Sequence, residues 1–252
     1  PVIVKLTPNV ANILPPAKAA LDGGADAVSL INTINSIMGV NYDTLTMYPT
    51  TDGMGTHGGY CGEAVKPIAL NMVAEIARSE ATRGLPISGI GGVTDWRDAV
   101  DFLALGASNV QVCTAAMVYG FKIVDDLVDG LSTFLDDKGL TLDQLVGKAV
   151  PSVTDWQYLN LNYEEKAVID QDLCIKCGRC HVVCEDTSHQ AITHTVDGER
   201  HFEVIDEECV GCNLCVSVCP VDSCITMKQT SDDGDPKLNW TAHPNNPMRN
   251  TD

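Results

Sequence analysis

The strongest pattern in this sequence is a cysteine motif that occurs twice, as CIKCGRCHVVC at residues 174–184 and as CVGCNLCVSVCP at residues 209–220. In each copy three cysteines stand three positions apart, and a fourth follows four positions later. Nine of the 11 cysteines of the chain lie between Cys174 and Cys224. The cysteines are therefore a local feature of the C-terminal region, and metal binding is the first interpretation to consider.

This spacing is that of the bacterial ferredoxin motif for two [4Fe–4S] clusters. The first three thiolates of a copy can wrap one iron–sulfur cube, and the chain then turns away, so the fourth cysteine reaches the other cluster. The first predicted ligand set is Cys174, Cys177, Cys180 and Cys219. The second predicted ligand set is Cys209, Cys212, Cys215 and Cys184.

Two zinc sites are the alternative for the same cysteines, because C-x2-C pairs also bind zinc. Zinc motifs seldom present two tandem runs of four cysteines with none left over, so the spacing favours iron–sulfur clusters. Cys224 falls outside the pattern, and we interpret it as a small buried hydrophobic residue. His181 and His189 are interpreted as packing or surface residues, since the cysteines already complete both sites.

Composition and charge exclude several classes of protein. The 252 residues carry 16 Lys and Arg against 34 Asp and Glu, a net charge of −18, which argues against nucleic-acid binding. No apolar run approaches the ~20 residues of a membrane helix, and no secretion signal is recognisable, so we expect a cytoplasmic protein. The odd cysteine count argues against a disulfide framework. The acidic C-terminal region also suits electrostatic steering toward a basic partner.

Upstream of the cysteines, strands and helices alternate. Strands are predicted at Val2–Leu6, Ala27–Ile31, Pro86–Ile90 and Asn109–Cys113. Helices are predicted at Pro15–Leu21, Glu63–Thr82, Asp95–Leu105 and Tyr119–Asp136, with a long loop over Asn32–Tyr60. Four such units in about 135 residues are half of a (β/α)8 barrel, which takes about 250 residues. A doubly wound parallel sheet is the alternative.

The predicted fold is α/β: the C-terminal half of a (β/α)8 TIM barrel, followed by a bacterial-type 2[4Fe–4S] ferredoxin domain of the α+β class. Because the sequence opens directly on a strand, we expect that an N-terminal part of a longer protein is missing. The predicted domains are residues 1–136 for the half-barrel, 137–168 for a connecting segment, 169–229 for the ferredoxin-like domain and 230–252 for a C-terminal tail.

Glycines and polar residues follow the predicted strands of the half-barrel. Gly91-Gly92 and Cys113-Thr114 follow two of the strands, and Gly58–Gly62 opens a helix. Glycines at the ends of strands and at the start of a helix favour a site that binds the phosphate of a flavin. Tight turns are the alternative explanation for the same glycines. Lys5 ends a strand that we expect to be buried, so it needs a polar partner such as a flavin ring. Asn32 and Thr33 suit a heterocycle with donors and acceptors side by side, and loop capping is the alternative.

The sequence resembles a known family at these same positions. The stretches VKLTPN (4–9), NT (32–33), GGYCG (58–62), SGIGG (88–92) and QVCTA (111–115) look like the second half of class 1 dihydroorotate/dihydropyrimidine dehydrogenase barrels. The ferredoxin motifs that follow narrow the resemblance to the NAD-dependent dihydropyrimidine dehydrogenases. The stretches DWQYLN (155–160) and HPNNP (243–247) are similar to the same group, so the resemblance covers essentially the whole chain.

The resemblance implies an FMN-dependent oxidoreductase that interconverts uracil or thymine with the 5,6-dihydropyrimidine. It implies that electrons pass through both clusters to an FAD- and NAD-binding partner subunit. No strand–GxGxxG–helix unit occurs here, so this chain is not expected to bind NAD itself. The implied substrate-binding residues are Asn32 and Thr33, and the implied FMN-binding residues are Lys5, Gly59, Gly91, Gly92, Cys113 and Thr114.

One departure from the family pattern concerns catalysis. The family's proton-transferring cysteine lies in an Asn-x-Ser-Cys-Pro stretch, which this sequence lacks. Cys61 and Cys113 occupy flavin-contact motifs, so we assign no catalytic residue to this chain and expect it to have little or no activity alone. Two other functions stay open: an electron-transfer ferredoxin module with a non-catalytic half-barrel, and a dihydroorotate dehydrogenase.

Overall fold

The computed structural model describes residues 1–159, 164–186, 189–196 and 198–230. The chain divides into two compact units, Pro1–Val153 and Thr154–Asp252, and the boundary falls within the predicted connecting segment. Beyond Thr230, the predicted C-terminal tail lies outside the described residues. In the described parts of the chain, no helix combines the length and the apolar character needed to span a membrane.

The first unit alternates strands with helices. Its strands are β1 (Ile3–Lys5), β2 (Ala27–Leu30), β3 (Ile34–Ser36), β4 (Gly39–Asn41), β5 (Thr46–Tyr48), β6 (Gly58–Tyr60), β7 (Ile87–Ile90) and β8 (Asn109–Gln111). Its α-helices are α1 (Leu14–Asp22), α2 (Lys66–Arg78), α3 (Trp96–Ala104), α4 (Thr114–Tyr119), α5 (Ile123–Lys138) and α6 (Leu142–Leu145). Short 3-10 helices lie at Glu63–Val65, Glu80–Thr82 and Val150–Ser152.

Four of these strands form one parallel sheet in the order β1-β2-β7-β8. The order along the sheet is the order along the chain, and helices separate β1 from β2, β2 from β7 and β7 from β8. This confirms the predicted α/β class and the parallel sheet. It also agrees with consecutive βα units of a barrel, whereas a doubly wound sheet reverses its strand order at a switch point.

The two faces of the parallel sheet differ in chemistry. Val28, Leu30 and Ile87 lie on one face and are buried in the main hydrophobic core. On the same face, Gly89 lets Phe102 of α3 approach so closely that a Cβ at Gly89 would lie 2.6 Å from the ring. The opposite face carries polar side chains, because register pairs Lys5 with Ser29, Ser29 with Ser88 and Ser88 with Asn109. Helices therefore cover the apolar face.

Three sequence predictions in this unit are wrong in detail. The long loop over Asn32–Tyr60 contains two antiparallel ribbons, β3 with β6 and β4 with β5. The helix predicted over Glu63–Thr82 ends at Arg78, because Ser79 is extended and its hydroxyl caps the next short helix. The helix predicted over Tyr119–Asp136 is α5, which begins only at Ile123, because Gly120 adopts a positive φ and ends a short helix, α4, that was not predicted.

The second unit repeats one small motif twice. Its strands are β9 (Glu165–Ile169), β10 (Thr195–Val196), β11 (Glu199–Arg200) and β12 (Ile225–Gln229). Its helices are α7 (Arg179–Asp186), α8 (Leu214–Val218) and a 3-10 turn at Trp156–Tyr158. Strand β9 pairs antiparallel with β12, and each cysteine run enters a helix, α7 in the first copy and α8 in the second. The cysteines are themselves part of the core, around the fully buried Phe202.

Candidate functional site

A cavity of about 310 Å³ lies at the C-terminal ends of the four parallel strands. Residues that line it come from the end of β1, from the segments that follow β2 and β6, and from the ends of β7 and β8 with the segments that follow them. In barrel enzymes this end of the strands carries the active site, and a cavity of this volume is in the usual range for small-molecule pockets. The lining residues used below are Lys5, Asn32, Thr33, Gly62, Gly91, Gly92, Thr94, Gln111, Cys113 and Thr114.

The structure brings together all but one of the residues predicted to bind pyrimidine or FMN. The cavity is lined by Lys5, Asn32, Thr33, Gly91, Gly92, Cys113 and Thr114. Gly59 lies behind the lining: a Cβ there would be 2.2 Å from Thr33 Oγ1, so Gly59 packs against Thr33. The expected burial of Lys5 is wrong, because β1 is an edge strand and its lysine is exposed.

The turn after β7 forms a tight backbone cradle beside the cavity. Gly92 has a φ of +78°, and a Cβ at this position would lie 2.9 Å from Gly62 O and 3.0 Å from Lys66 N. Only glycine fits where the backbone is left-handed and two other backbone atoms are so close. The cavity also receives the first residues of α4, whose N-terminus has no side-chain cap. These are the features that a phosphate group uses when it contacts main-chain N–H groups.

A hydrogen-bond network on the polar face of the sheet was missed by the sequence predictions. Gln111 Nε2 donates to Ser29 Oγ at 2.8 Å and to Ser88 Oγ at 2.6 Å. Ser88 is in turn hydrogen-bonded to the Asn109 side chain. The alternation of polar and apolar residues in Asn109-Val110-Gln111-Val112-Cys113 is the signal that could have identified Gln111. The network fixes the floor of the cavity.

Asn9 holds the segment that carries Asn32 and Thr33. Its Nδ2 donates to Thr33 O at 3.0 Å, and its Oδ1 accepts from Asn35 N–H at 2.9 Å. Asn32 Oδ1 accepts from Thr33 N–H at 3.0 Å, which leaves the Asn32 amide donors for another partner. The segment after β2 is therefore fixed by side chains of residues that follow β1.

An ion pair outside the cavity holds the turn after β7. Lys66 Nζ donates to Asp98 Oδ1 at 2.5 Å and to Asp101 Oδ2 at 3.1 Å, and Asp98 Oδ2 accepts from the backbone and hydroxyl of Thr94. Burial alone would raise the pKa of Asp98, but the hydrogen bonds from Lys66, Thr94 and Asp95 outweigh it and hold that pKa below its usual value. The hydrogen bond to Asp98 raises the pKa of Lys66.

We expect Asp98→Asn to lower the free energy of unfolding of the first unit by about 2 kcal/mol at neutral pH, the usual scale for hydrogen bonds to charged groups. Because the folded pKa of Asp98 is depressed, its stabilisation is complete above the unfolded value of about 4 and is lost as pH falls through the folded pKa. The raised pKa of Lys66 keeps the pair intact until the solution is strongly alkaline.

Urea unfolding of both proteins between neutral and acid pH measures this prediction. Asp101→Asn is the matched control: it removes the other carboxylate on Lys66, whose side chain is 46% exposed against 10% for Asp98, so we expect a loss below about 1 kcal/mol. Equal losses in the two variants would contradict the prediction. The prediction would also be contradicted if the difference in the free energy of unfolding between wild type and Asp98→Asn did not become smaller at acid pH.

The second unit contains two small cavities, each lined by four of the predicted thiols. One is lined by Cys174, Cys177, Cys180 and Cys219 together with Cys224. The other is lined by Cys184, Cys209, Cys212 and Cys215. In both, the fourth thiol comes from the other copy of the motif. Within the described residues, no three His, Cys, Asp or Glu side chains are arranged to bind a single metal ion. In a cubane cluster the thiolates bind four different irons and lie further apart than at one ion.

The loops around these cavities have the backbone conformation of anion-binding sites. Lys176 and Gly178 in the first copy have positive φ, as do Gly211 and Asn213 at the equivalent positions of the second copy. Alternation of right- and left-handed residues points successive N–H groups into one concavity, a geometry found at phosphate and iron–sulfur sites. The backbone and the thiols therefore both fit a negatively charged iron–sulfur cluster.

Burial keeps some of these thiols protonated in the absence of iron. Desolvation raises the pKa of Cys180 to about 11, and it also raises the pKa of Cys215. Cys224 is 3% exposed, as predicted for a small buried residue, and its Sγ lies 3.7 Å from Asp170 O. Burial, with Cys219 and Cys174 nearby, raises the pKa of Cys224 to about 12. The 11 cysteines, which all lie within the described residues, form no disulfide.

Comparison with known proteins identifies both units. Residues 1–135 match the family described as dihydroorotate dehydrogenase, and residues 167–227 match the family described as 4Fe-4S dicluster domain. The chain is 40% identical over 228 residues to NAD-dependent dihydropyrimidine dehydrogenase subunit PreA of Escherichia coli K12, a match that covers 90% of this chain and 55% of that protein.

Two further relatives match shorter parts of the chain. The chloroplastic dihydropyrimidine dehydrogenase (NADP(+)) of Arabidopsis thaliana is 37% identical over 71% of this chain and 42% of its own length. The catalytic subunit of dihydroorotate dehydrogenase B (NAD(+)) of Thermococcus kodakarensis is 41% identical over 60% of this chain and 47% of its own length. The chain spans about half the length of these relatives. It belongs to the dihydroorotate dehydrogenase family of oxidoreductases, and it joins a 4Fe-4S dicluster domain to that fold.

Proposed function

We propose that this chain is part of the catalytic subunit of an NAD-dependent dihydropyrimidine dehydrogenase. The reaction interconverts uracil or thymine with the 5,6-dihydropyrimidine at FMN, and two [4Fe–4S] clusters relay electrons to a partner subunit that binds FAD and NAD. The observation that carries the proposal is the combination, in one chain, of a ligand-sized cavity at the ends of parallel strands with two cavities that each bring together four thiols of the repeated motif.

The residues of the first unit fit FMN and a pyrimidine. Gly91, Gly92 and Thr114 would hold the phosphate end, where backbone N–H groups and a tight turn meet. Lys5 and Cys113 would contact the flavin ring, with Gly59 supporting Thr33 from behind. When bound, FMN supplies hydride exchange between its N5 and C6 of the pyrimidine.

Recognition of the pyrimidine rests on Asn32 and Thr33. Uracil and thymine present carbonyl acceptors beside N–H donors, and an amide and a hydroxyl can match both kinds of group. Asn9 keeps the two residues in place at the rim of the cavity. A site that offers fixed polar groups discriminates against molecules that leave those groups unpaired.

The second unit would hold the clusters on the two thiol sets described above. Cys184 and Cys219 each line the cavity formed by the other copy of the motif, so each cluster would be bound by residues of both copies. The acidic character of this region supports docking to a basic surface of the partner subunit. Eleven cysteines without a disulfide are consistent with the reducing, cytoplasmic location that we propose.

We assign the proton donor for C5 of the pyrimidine to no residue of this chain, and we propose that the chain alone turns over little or no substrate. Cys61 and Cys113 line the cavity but stand at positions that would contact the flavin. An anaerobic absorption spectrum before and after dithionite tests the cofactors: we expect a bleachable iron–sulfur shoulder. Oxidation of dihydrouracil by the isolated 252 residues with an artificial acceptor would contradict the proposed inactivity.

A chimera tests the substrate. In it, this chain replaces the 228 residues of E. coli PreA to which it aligns. We expect the chimera to oxidise dihydrouracil or dihydrothymine, and Asn32→Ala to abolish that activity while the iron content stays unchanged. A chimera that folds, binds both cofactors and oxidises neither substrate would contradict the proposal and favour an electron-transfer module with a non-catalytic half-barrel.

Dihydroorotate oxidation is the second candidate function. It is favoured by the match of residues 1–135 to the dihydroorotate dehydrogenase family and by the T. kodakarensis relative. The dicluster domain on the same chain favours the dihydropyrimidine reaction instead, since the E. coli relative matches across 90% of this chain. The chimera decides between the two when dihydroorotate is supplied in place of dihydrouracil.

A further inference from the structure

Each cysteine loop of the second unit receives one cation from elsewhere in the chain. Lys166 Nζ donates to the carbonyl oxygen of Cys209 at 2.5 Å. Arg200 Nη2 donates to the carbonyl oxygen of Cys177 at 2.9 Å. Both carbonyls belong to predicted cluster ligands, one in each of the two ligand sets.

The two cations differ in their exposure to solvent. Lys166 is half-buried, whereas Arg200 is exposed and lies over the ring of Phe202. In the described parts of the chain, neither cation forms an ion pair with a carboxylate. The Lys166 charge is therefore not neutralised by a neighbouring carboxylate and is less screened by water than the Arg200 charge.

The strand that carries Lys166 is held against the second cysteine loop at two points. A Cβ at Gly211 would lie 2.4 Å from Glu165 O, so the backbone of β9 touches the loop directly before Lys166. Ala167, directly after it, lines the cavity of the second thiol set. The backbone of β9 is thus held against the loop, and the hydrogen bond to the carbonyl oxygen of Cys209, a residue that lines that cavity, holds the ammonium group next to the loop.

We propose that Lys166 is a positioning residue that raises the reduction potential of the cluster held by Cys209, Cys212, Cys215 and Cys184. This inference rests on the proposed cluster function. Reduction adds one electron to the cluster without making or breaking a bond, and dithionite supplies that electron. A fixed positive charge in a poorly screened position stabilises the added negative charge, and nearby charge and hydrogen bonding are known to set such potentials. Arg200 has a smaller effect on the other cluster, because water screens it.

Redox titration of the full chain, followed by electron paramagnetic resonance, tests the proposal. We expect Lys166→Gln to lower the equilibrium constant for one of the two reduction steps about tenfold, a shift of ~59 mV for one electron. The other step stays unchanged. Lys166→Arg keeps the positive charge. We expect its equilibrium constant for the same reduction step to stay within about twofold of the wild-type value. Arg200→Gln is the matched variant. We expect it to change the equilibrium constant of the other reduction step by less than about threefold.

The outcomes separate this inference from the function on which it rests. A wild-type chain that binds no iron–sulfur cluster would overturn both. Two intact clusters with potentials unchanged in Lys166→Gln would overturn the role of Lys166 alone. The same holds if Lys166→Gln shifts both steps equally, if Lys166→Arg shifts them as much, or if Lys166→Gln assembles only one cluster. None of those results is compatible with a specific effect of the Lys166 charge on the potential of one cluster.

Discussion

Cys219→Ala is expected to leave the chain with one intact [4Fe–4S] cluster in place of two. Cys219 lines the cavity of Cys174, Cys177 and Cys180, although it lies in the other copy of the motif. Removing its thiol takes away the proposed fourth ligand of that cluster, and the one further thiol that lines this cavity among the described residues is Cys224, which lies outside both copies of the motif. Iron and sulfide analysis, with paramagnetic resonance of the dithionite-reduced protein, measures the loss.

Cys224→Ala is the matched control for that loss. Cys224 lines the same cavity, but it lies outside both four-cysteine runs and its Sγ is 3.7 Å from Asp170 O, so the spacing assigns it to neither cluster. We expect this variant to keep both clusters. Two intact clusters in Cys219→Ala would show that the fourth ligand is wrongly assigned. The loss of a cluster in Cys224→Ala would show that Cys224 is itself a ligand.

Gly92→Ala is expected to destabilise the first unit by about 3–5 kcal/mol and to abolish flavin binding at the cavity. About 1–2 kcal/mol comes from placing a side chain at a left-handed backbone position. The rest comes from forcing a methyl group against Gly62 O and Lys66 N, which belong to the backbone and cannot rotate away. Urea unfolding and flavin fluorescence titration measure the two effects.

Gly24→Ala is the control that measures only the cost of placing a side chain at a left-handed backbone position. Gly24 has a φ of +83°, close to the +78° of Gly92, but a Cβ there would meet no atom within 4 Å. We therefore expect a loss of only about 1–2 kcal/mol and no change in the cavity. If the two variants lose the same stability, the contacts around Gly92 do not constrain the turn, and its role as a phosphate cradle is wrong.

The cysteine runs show how far sequence alone could predict this protein. Their spacing is local, because a ligand loop is built from residues a few positions apart, so the spacing alone was enough to predict both thiol sets. The exchange of Cys184 and Cys219 between copies also follows from the motif. What the spacing could not predict is Lys166, which reaches Cys209 from 43 residues away and carries no motif of its own.

In the first unit, too, the sequence predicted some features and could not predict others. Alternating strands and helices, with Gly91-Gly92 and Cys113-Thr114 after two of the strands, were enough to predict the parallel sheet and most of the cavity lining. The break at Ser79 and the separate short helix α4 were not predictable from periodicity, because an extended Ser79 and a positive φ at Gly120 are set by the local backbone and not by the hydrophobic pattern. Lys5 was misjudged because its exposure depends on which strands lie beside it.

The sequence by itself determined the fold class, the grouping of the cysteines into two thiol sets and the end of the sheet where the cavity lies, since each depends on residues close together in the chain. Only the tertiary structure decided the contacts between distant residues. Gln111 meets Ser29 across 82 positions, and Lys66 meets Asp98 across 32. Such pairs are set by strand register and helix packing, which arise when the whole unit folds, and no short stretch of sequence encodes them.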